Sequence, residues 1–272
     1  MKSIIKWILI SIGGIIFLLG IVFLWSDYSK ALFKSRDHFI VHPTDSRIRY
    51  EPGAKDYADS LAFDLVSAIS KVEEIHGVPF KKDFTVYMCE SQKSLNEFVA
   101  QPAALPVRGL VLFGDIFVAP SAFHWLNDED THRGTLRHEL SHLLTKQYLG
   151  EMRNRTTLPV WFMEGLADVA CDCAGEGVSD EIAKRAIKSG DRILLDTKSS
   201  LFHVKRATDY GFSYPMFHRQ SRLLVGFLHD HFGMDFQAFV KDLHRGSSFE
   251  DALGTRLGLS TDRLWDVYMS NL

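Results

Sequence analysis

The 272-residue sequence predicts an α+β domain that follows one membrane-spanning helix. Three observations lead to this prediction. A charge-free apolar run occupies residues 7–25, short β-rich runs occur in residues 84–120, and helical periodicity dominates after Thr131. A few strands followed by a succession of helices favour an α+β domain over an alternating α/β domain. We therefore expect a small sheet followed by a mostly helical C-terminal half.

The apolar run WILISIGGIIFLLGIVFLW, from Trp7 to Trp25, is long enough to cross a hydrocarbon core of about 30 Å. Tryptophan at both ends suits the two membrane interfaces. A cleaved signal peptide is the alternative, but its apolar part usually spans about 7 to 15 residues, and no A-x-A-like site follows here. We predict an uncleaved anchor behind a short basic tail, residues 1–6.

The orientation of the anchor is less strongly determined, because lysines flank the apolar run on both sides. A very short basic tail before the anchor favours translocation of the much larger soluble part across the membrane, so we expect an extracytoplasmic domain. Residues 26–52 carry two prolines and mixed charges, which predicts a juxtamembrane linker. The folded domain is then expected to occupy residues 53–272.

The charge and the cysteines exclude several classes of protein. A formal net charge of -3 gives no electrostatic reason to expect a nucleic-acid partner. Cys89, Cys171 and Cys173 form no zinc-ribbon spacing, and an odd number of cysteines does not indicate a disulfide framework. We expect small buried thiols, although Cys171 and Cys173 could react with each other.

The elements before the helical half follow from short local patterns. The stretch KDYADSLAFDLVSAISKVEEIHG has apolar residues at helical spacing and ends at Gly77. The run FTVYMCE from Phe84 alternates as a strand does, and SQKSLNEFVA predicts a helix capped by Ser91 or Ser94. Residues 108–120, RGLVLFGDIFVAP, predict one or two strands with a tight turn around GD.

The remaining elements are helices that glycines and polar breaks separate. The predicted helices occupy residues 132–149, 160–173, 179–189, 214–232, 235–245 and 261–271.

The first of these helices contains the stretch TLRHELSHLL, residues 135–144. Its leucines recur at helical spacing and predict a core-facing stripe. His138 and His142 are four residues apart, so both lie on one face of the helix, where two imidazoles can converge on one ion. The HExxH match, with Glu139 between the histidines, is moderate evidence for a metal site and needs a further ligand.

A catalytic zinc site uses three protein ligands and leaves one position to water. The best third ligand is Glu164, which follows His142 with 21 residues between, in LPVWFMEGLADVA. Asp168 lies one turn further on, where its carboxylate could accept the second N–H of a ligating histidine. Both carboxylates could instead be solvated residues near a helix start. The apolar flank of Glu164 makes an unpaired carboxylate costly and favours the metal site.

The stretches RHELSHLLTKQYL, LPVWFMEGLADVA and SYPMFHRQSRLLVGFLHDHFG resemble the gluzincin branch of the zincin metallopeptidases, over roughly residues 80–270. The resemblance implies a zincin-like domain with one Zn²⁺ per chain. It also implies that the zinc ligands are His138, His142 and Glu164. Glu139 would be the general base, and Asp168 would be the carboxylate that orients a ligand.

The resemblance further implies a Tyr or His from a later helix that stabilises the transition state. Tyr214 is the first candidate and His218, one turn later, is the second; Tyr214 could equally be a packing residue. The strand near Leu110–Val118 would be the edge against which an extended substrate binds. The G-x-M-E-N element of gluzincin aminopeptidases is absent, which argues against that subfamily and leaves the cleavage mode open.

Together these observations predict a membrane-anchored zinc metallopeptidase that acts on a peptide or protein substrate. Glu139 would take a proton from a water that zinc activates and pass it to the leaving amine. A zincin-like module that binds without turnover is the alternative, since fold does not fix function. A purely structural zinc site fits less well, because structural sites are closed by four ligands.

Overall fold

The computed structural model describes residues 33–99, 107–123, 131–173, 177–198 and 205–272, together with positions 12, 14, 29 and 31. These residues form a small sheet followed by a mostly helical half, which confirms the α+β prediction. The strands are β1 (Ile40–Val41), β2 (Ile48–Tyr50), β3 (Val86–Met88), β4 (Gly109–Leu112) and β5 (Asp115–Val118). The helices are α1 (Lys55–His76), α2 (Gln92–Val99), α3 (Thr131–Thr157), α4 (Val160–Cys171), α5 (Asp180–Lys188), α6 (Tyr214–Phe232), α7 (Met234–His244), α8 (Phe249–Leu257) and α9 (Leu264–Ser270).

The sheet has the strand order β1-β2-β3-β5-β4, so β4 is an edge strand. Strands β2, β3 and β5 are parallel, whereas β1 and β4 run antiparallel to their neighbours. The predicted tight turn joins β4 to β5, but its central residues are Phe113 and Gly114 rather than Gly114 and Asp115. Both have positive φ, 53° and 86°, as a two-residue hairpin turn that matches the strand twist requires.

Two helix ends follow directly from glycine. Helix α1 ends where Gly77 adopts a left-handed conformation with φ 65°, as the sequence predicts. Helix α3 is interrupted at Gly150, whose φ of 73° and ψ of 162° are not helical. The predicted helix 132–149 therefore corresponds to the part of α3 before this kink.

Some elements are absent from the sequence prediction. Strands β1 and β2 lie within residues 26–52, so the prediction of a linker is wrong for these five positions. Strands of two and three residues are too short to show alternation. Helix α8 was also missed, although Ser248 caps it by accepting a hydrogen bond from the Asp251 N–H.

The core has two parts, one on each face of the sheet. The larger part packs the sheet against the long helices and contains the leucine stripe of α3. The smaller part lies under α2 and is rich in aromatic rings. Its members are Phe39, Tyr87, Cys89, Leu95, Phe98, Phe117 and Ala119.

Cys171 and Cys173 form a disulfide at the end of α4, with their Cα atoms 5.1 Å apart. The expectation of two buried thiols is therefore wrong. Asp172 between them has a left-handed conformation with φ 54°, which turns the chain so that the two sulfurs meet. Cys89 is a buried free thiol, as expected.

The predicted anchor, residues 7–25, lies outside the described residues except for Ile12 and Gly14. Among the helices that the structure describes, none combines the length and the apolar character needed to cross a bilayer.

Candidate metal centre

Helix α3 carries the HExxH residues on the face opposite its leucine stripe. Leu136, Leu140 and Leu143 are fully buried and fix the rotation of the helix about its axis. His138 and His142 consequently face α4, which packs directly against α3. The two imidazole Nε2 atoms lie 3.0 Å apart.

Glu164 on α4 completes a group of three ligand atoms. Its Oε2 lies 3.4 Å from the Nε2 of His138 and 3.4 Å from the Nε2 of His142. Four tetrahedral ligands at zinc distances of 2.0 to 2.1 Å are about 3.3 Å from one another. The observed separations match this spacing, so the three residues fit a zinc ion with one position left open.

Asp168 lies one turn after Glu164 and is almost fully buried. The Oδ1 of Asp168 accepts a hydrogen bond from the Nδ1–H of His138 at 3.1 Å. This hydrogen bond fixes the tautomer that leaves the Nε2 lone pair free to bind a metal. The geometry therefore agrees with the orienting role that the sequence resemblance implies for Asp168.

The site is strongly charged, and the pKa directions reflect this. Burial alone would lower the pKa of His138, but the hydrogen bonds and charges of Asp168 and Glu164 raise it well above its ordinary value. Burial alone would raise the pKa of Glu164, but the neighbouring histidines, His142 first, lower it well below its ordinary value. In the same way, the pKa of Asp168 is lowered by His218 and His138 against the effect of burial.

His218 on α6 is the residue whose placement the sequence indicated least clearly. It is buried, and its Nδ1 donates to the Oδ2 of Asp168 at 2.8 Å. Its Nε2 lies 3.9 Å from the Oε2 of Glu164. Asp168 thus holds two histidines, one with each oxygen. The only sequence signal was that His218 lies one turn after Tyr214.

Tyr214, the first candidate for the transition-state role, borders the same cleft. Its ring centroid is 4.0 Å from that of His218. Although 65% of the residue is exposed, the surrounding protein and then the charge of Glu164 raise the pKa of its hydroxyl. Both candidates therefore lie at the site, with Tyr214 at the mouth and His218 in the interior.

A close helix contact brings these residues together. Gly165, next to Glu164, lies so near α6 that a Cβ there would be 2.6 Å from the Ser221 carbonyl oxygen and 2.6 Å from Val225 Cγ2. Only glycine permits this approach. The contact places the carboxylates of α4 beside His218 of α6.

An open cleft of about 330 Å³ leads to the site. Edge strand β4 forms one side, and the HExxH face of α3 forms the other. Glu139 lies in this cleft and is 8% exposed. A Cβ at Gly109 of β4 would be 3.0 Å from Glu139 Cγ, so strand and base are in close contact. Of the region near Leu110–Val118 that the sequence predicts as an edge, only β4 is an edge strand and lies beside the candidate base, because β5 pairs with both β3 and β4.

Other histidines lie away from the metal centre. His132 is in α3, and its Nε2 lies 2.9 Å from the Oδ2 of Asp64. His244 stacks on the buried His76, with ring centroids 5.3 Å apart. His124 lies outside the described residues.

The sheet, the helical half and the two ligand-bearing helices define a zincin-like fold. A family model of the Peptidase MA superfamily matches residues 65–272, and the chain belongs to this superfamily. The solved structures similar to it include native yeast LTA4 hydrolase, with a TM-score of 0.51 and 16% identity. That similarity covers 84% of this chain but 38% of the hydrolase, and at this identity it shows the fold alone. No curated protein sequence matches the chain.

Proposed function

We propose that this protein is a zinc-dependent peptidase of the gluzincin type. The observation that carries the proposal is the spacing of 3.0 to 3.4 Å among the ligand atoms of His138, His142 and Glu164. Glu139 lies in the same cleft, beside an edge strand that suits an extended peptide. A ligand set with an open position and an adjacent carboxylate is characteristic of a catalytic site rather than a structural one.

The residues of the chain divide the chemistry among them. A bound zinc ion supplies Lewis acidity toward the substrate carbonyl and lowers the pKa of water toward 7. Glu139 accepts the proton of the attacking water and passes it to the departing amine. Asp168 keeps His138 in the tautomer that presents its Nε2 lone pair to the ion.

A further residue is needed to stabilise the negative charge on the carbonyl oxygen. The geometry favours His218 over Tyr214, because His218 is buried, held by Asp168, and turns its Nε2 toward Glu164. We expect His218→Ala to reduce kcat more than Tyr214→Phe does. The opposite order would return Tyr214 to this role.

We also propose that residues 7–25 anchor the protein in a membrane with the peptidase domain outside the cytoplasm. The length of the run, its lack of charge and its terminal tryptophans support this. The full chain should remain with membranes in alkaline carbonate, and added protease should digest the domain in intact cells stripped of their wall. Release of the protein by carbonate would contradict the anchor.

The experiment that tests the metal centre is the zinc content of the full chain, purified in detergent without added metal. We expect about one zinc per chain in the wild type and a clear loss in Glu164→Ala, because one of three ligands is removed. Glu74→Ala, which removes an exposed carboxylate of α1, is the matched control and should keep its zinc. Absence of zinc from the wild type would contradict the proposal and favour a binding module.

A further inference from the structure

The backbone of edge strand β4 offers few free hydrogen-bonding groups to a substrate. The Arg108 carbonyl accepts from the Ala119 N–H at 2.8 Å, and antiparallel pairing alternates, so Leu110 and Leu112 also face β5. The hydrogen bonds of β5 agree with this pattern. The Val118 carbonyl accepts from the N–H of Cys89, which follows β3, so it does not face β4. The N–H and C=O groups of the two intervening residues of β4, Gly109 and Val111, therefore point away from β5.

One of these outward groups is already occupied. Lys146 lies one turn after His142 on α3, and its Nζ donates to the Val111 carbonyl oxygen at 3.1 Å. Glu151 lies 3.4 Å from the same Nζ and neutralises its charge. All of these residues border the cleft. In the part of the chain that the structure describes, the groups left for a substrate are both backbone groups of Gly109 and the N–H of Val111.

The direction of a bound peptide follows from the contacts between β4 and α3. Gly109 is close to Thr135 and Glu139, whereas Val111 is bound by Lys146, so β4 and α3 run the same way. A peptide added to an edge pairs more favourably in the antiparallel direction. The substrate residue just before the scissile bond would lie beside Glu139 and pair with Gly109, and the residue two places nearer the N-terminus would pair with Val111.

We propose that Lys146 is a specificity-determining residue that ends main-chain recognition three residues before the scissile bond. This inference rests on the proposed peptidase function. With its carbonyl taken by Lys146, Val111 donates one hydrogen bond to the peptide but accepts none. The N–H of the third substrate residue before the scissile bond therefore finds no acceptor on β4. Residues further toward the N-terminus of the substrate add no main-chain hydrogen bond to β4.

The test compares two N-acetylated peptides that differ only in having two or three residues before the scissile bond. The acetyl oxygen of the shorter peptide replaces the carbonyl that Val111 N–H binds, so only the longer peptide adds the N–H in question. Two quantities are measured: kcat/KM with the zinc-loaded full chain, and Kd with the Glu139→Gln variant. For kcat/KM the readout is the value for the longer peptide divided by the value for the shorter, and for Kd it is the value for the shorter divided by the value for the longer.

We expect a ratio near one in the wild type and about three to ten in Lys146→Met, because the freed carbonyl accepts one more hydrogen bond. Lys146→Arg keeps a donor and should retain the wild-type ratio. Lys71→Met, which removes an exposed charge of α1, is the control. Melting temperatures show whether each variant is folded.

Equal ratios in the wild type and Lys146→Met would overturn the inference. An effect seen only with peptides lengthened at the C-terminal side would overturn the assigned direction. If binding shows the expected ratios without hydrolysis by the zinc-loaded wild type, the peptidase function fails and the role of Lys146 stands. If the peptides neither bind nor react, both are overturned.

Discussion

Two pairs of histidines lie on different sides of α3, and they differ in their partners. His138 and His142 face α4 and two carboxylates. His76 and His244 stack within the core, and the Nε2 of His76 lies 2.8 Å from the Oγ of Ser141, the neighbour of His142. The same type of side chain therefore occurs in a candidate metal centre and in a structural contact, and the two involve the adjacent α3 residues His142 and Ser141.

The carboxylates account for the difference. The charges of Asp168 and Glu164 raise the pKa of His138 despite its burial. Burial lowers the pKa of His244 to about 4 and the pKa of His76 well below its usual value, since no described carboxylate binds either ring. The histidine pair beside the two acids forms the candidate metal centre, whereas burial favours the neutral form of the pair in the core.

The largest effect should come from removing the candidate base, Glu139, beside the first pair. Glu139→Gln keeps the shape of the side chain but cannot accept a proton, so kcat for peptide hydrolysis should fall by about 10² to 10⁴. The zinc content should remain near that of the wild type, because Glu139 is not a ligand. Unchanged kcat in the zinc-loaded variant would show that Glu139 has no part in proton transfer.

A smaller effect is expected from the carboxylate that distinguishes the first pair from the second. Asp168→Asn keeps the volume but removes the charge that orients His138 and His218. Zinc affinity, measured by competition with a chelator, should fall about 10- to 100-fold. An affinity equal to that of the wild type would mean that the ligands are held without Asp168.

The third prediction concerns the helix contact that assembles the first cluster. Gly165→Ala places a Cβ 2.6 Å from the Ser221 carbonyl oxygen, which should cost about 1 to 3 kcal/mol of unfolding free energy. The expected fall in Tm is about 2 to 12 °C. Gly226→Ala is the matched control, because its Cβ would meet only Val169 at 3.7 Å across the same two helices. Equal Tm values for the two variants would contradict the close contact.

The last prediction uses the second pair. The pKa of His244 is about 4 in the folded chain and near 6.5 when unfolded, so its neutral form is favoured by folding. Stability is then complete above pH 6.5 and is lost as the pH falls toward 4. Between pH 7 and pH 5, metal-free His244→Phe should lose about 2 kcal/mol less unfolding free energy than the metal-free wild type. Denaturant unfolding at both pH values measures this, and an identical loss would contradict it.

Much of the candidate site could be predicted because its residues lie at fixed helical intervals. His138 with His142, and Glu164 with Asp168, are each one turn apart, so local spacing alone puts each pair on one face. Most site residues assigned from the resemblance line the cleft, whereas Asp168 and His218 are buried and do not line it. Their roles stay predictions until the variants above are measured.

The parts that could not be predicted depend on contacts between distant segments. Strands β1 and β2 are stabilised by pairing with the sheet and have almost no local pattern. The bond between His218 and Asp168 joins residues 50 positions apart.

The sequence by itself predicted the helices other than α8, the strands from β3 onward, and the polar residues that share one face of α3 and of α4. It did so because helical periodicity and capping are local properties of the chain. Only the tertiary structure decided which faces meet. Gly165 allows α6 to pack closely on α4, Asp168 binds two histidines, and Lys146 donates a hydrogen bond to the Val111 carbonyl. These contacts depend on packing between elements far apart in sequence, so short-range sequence patterns do not predict them.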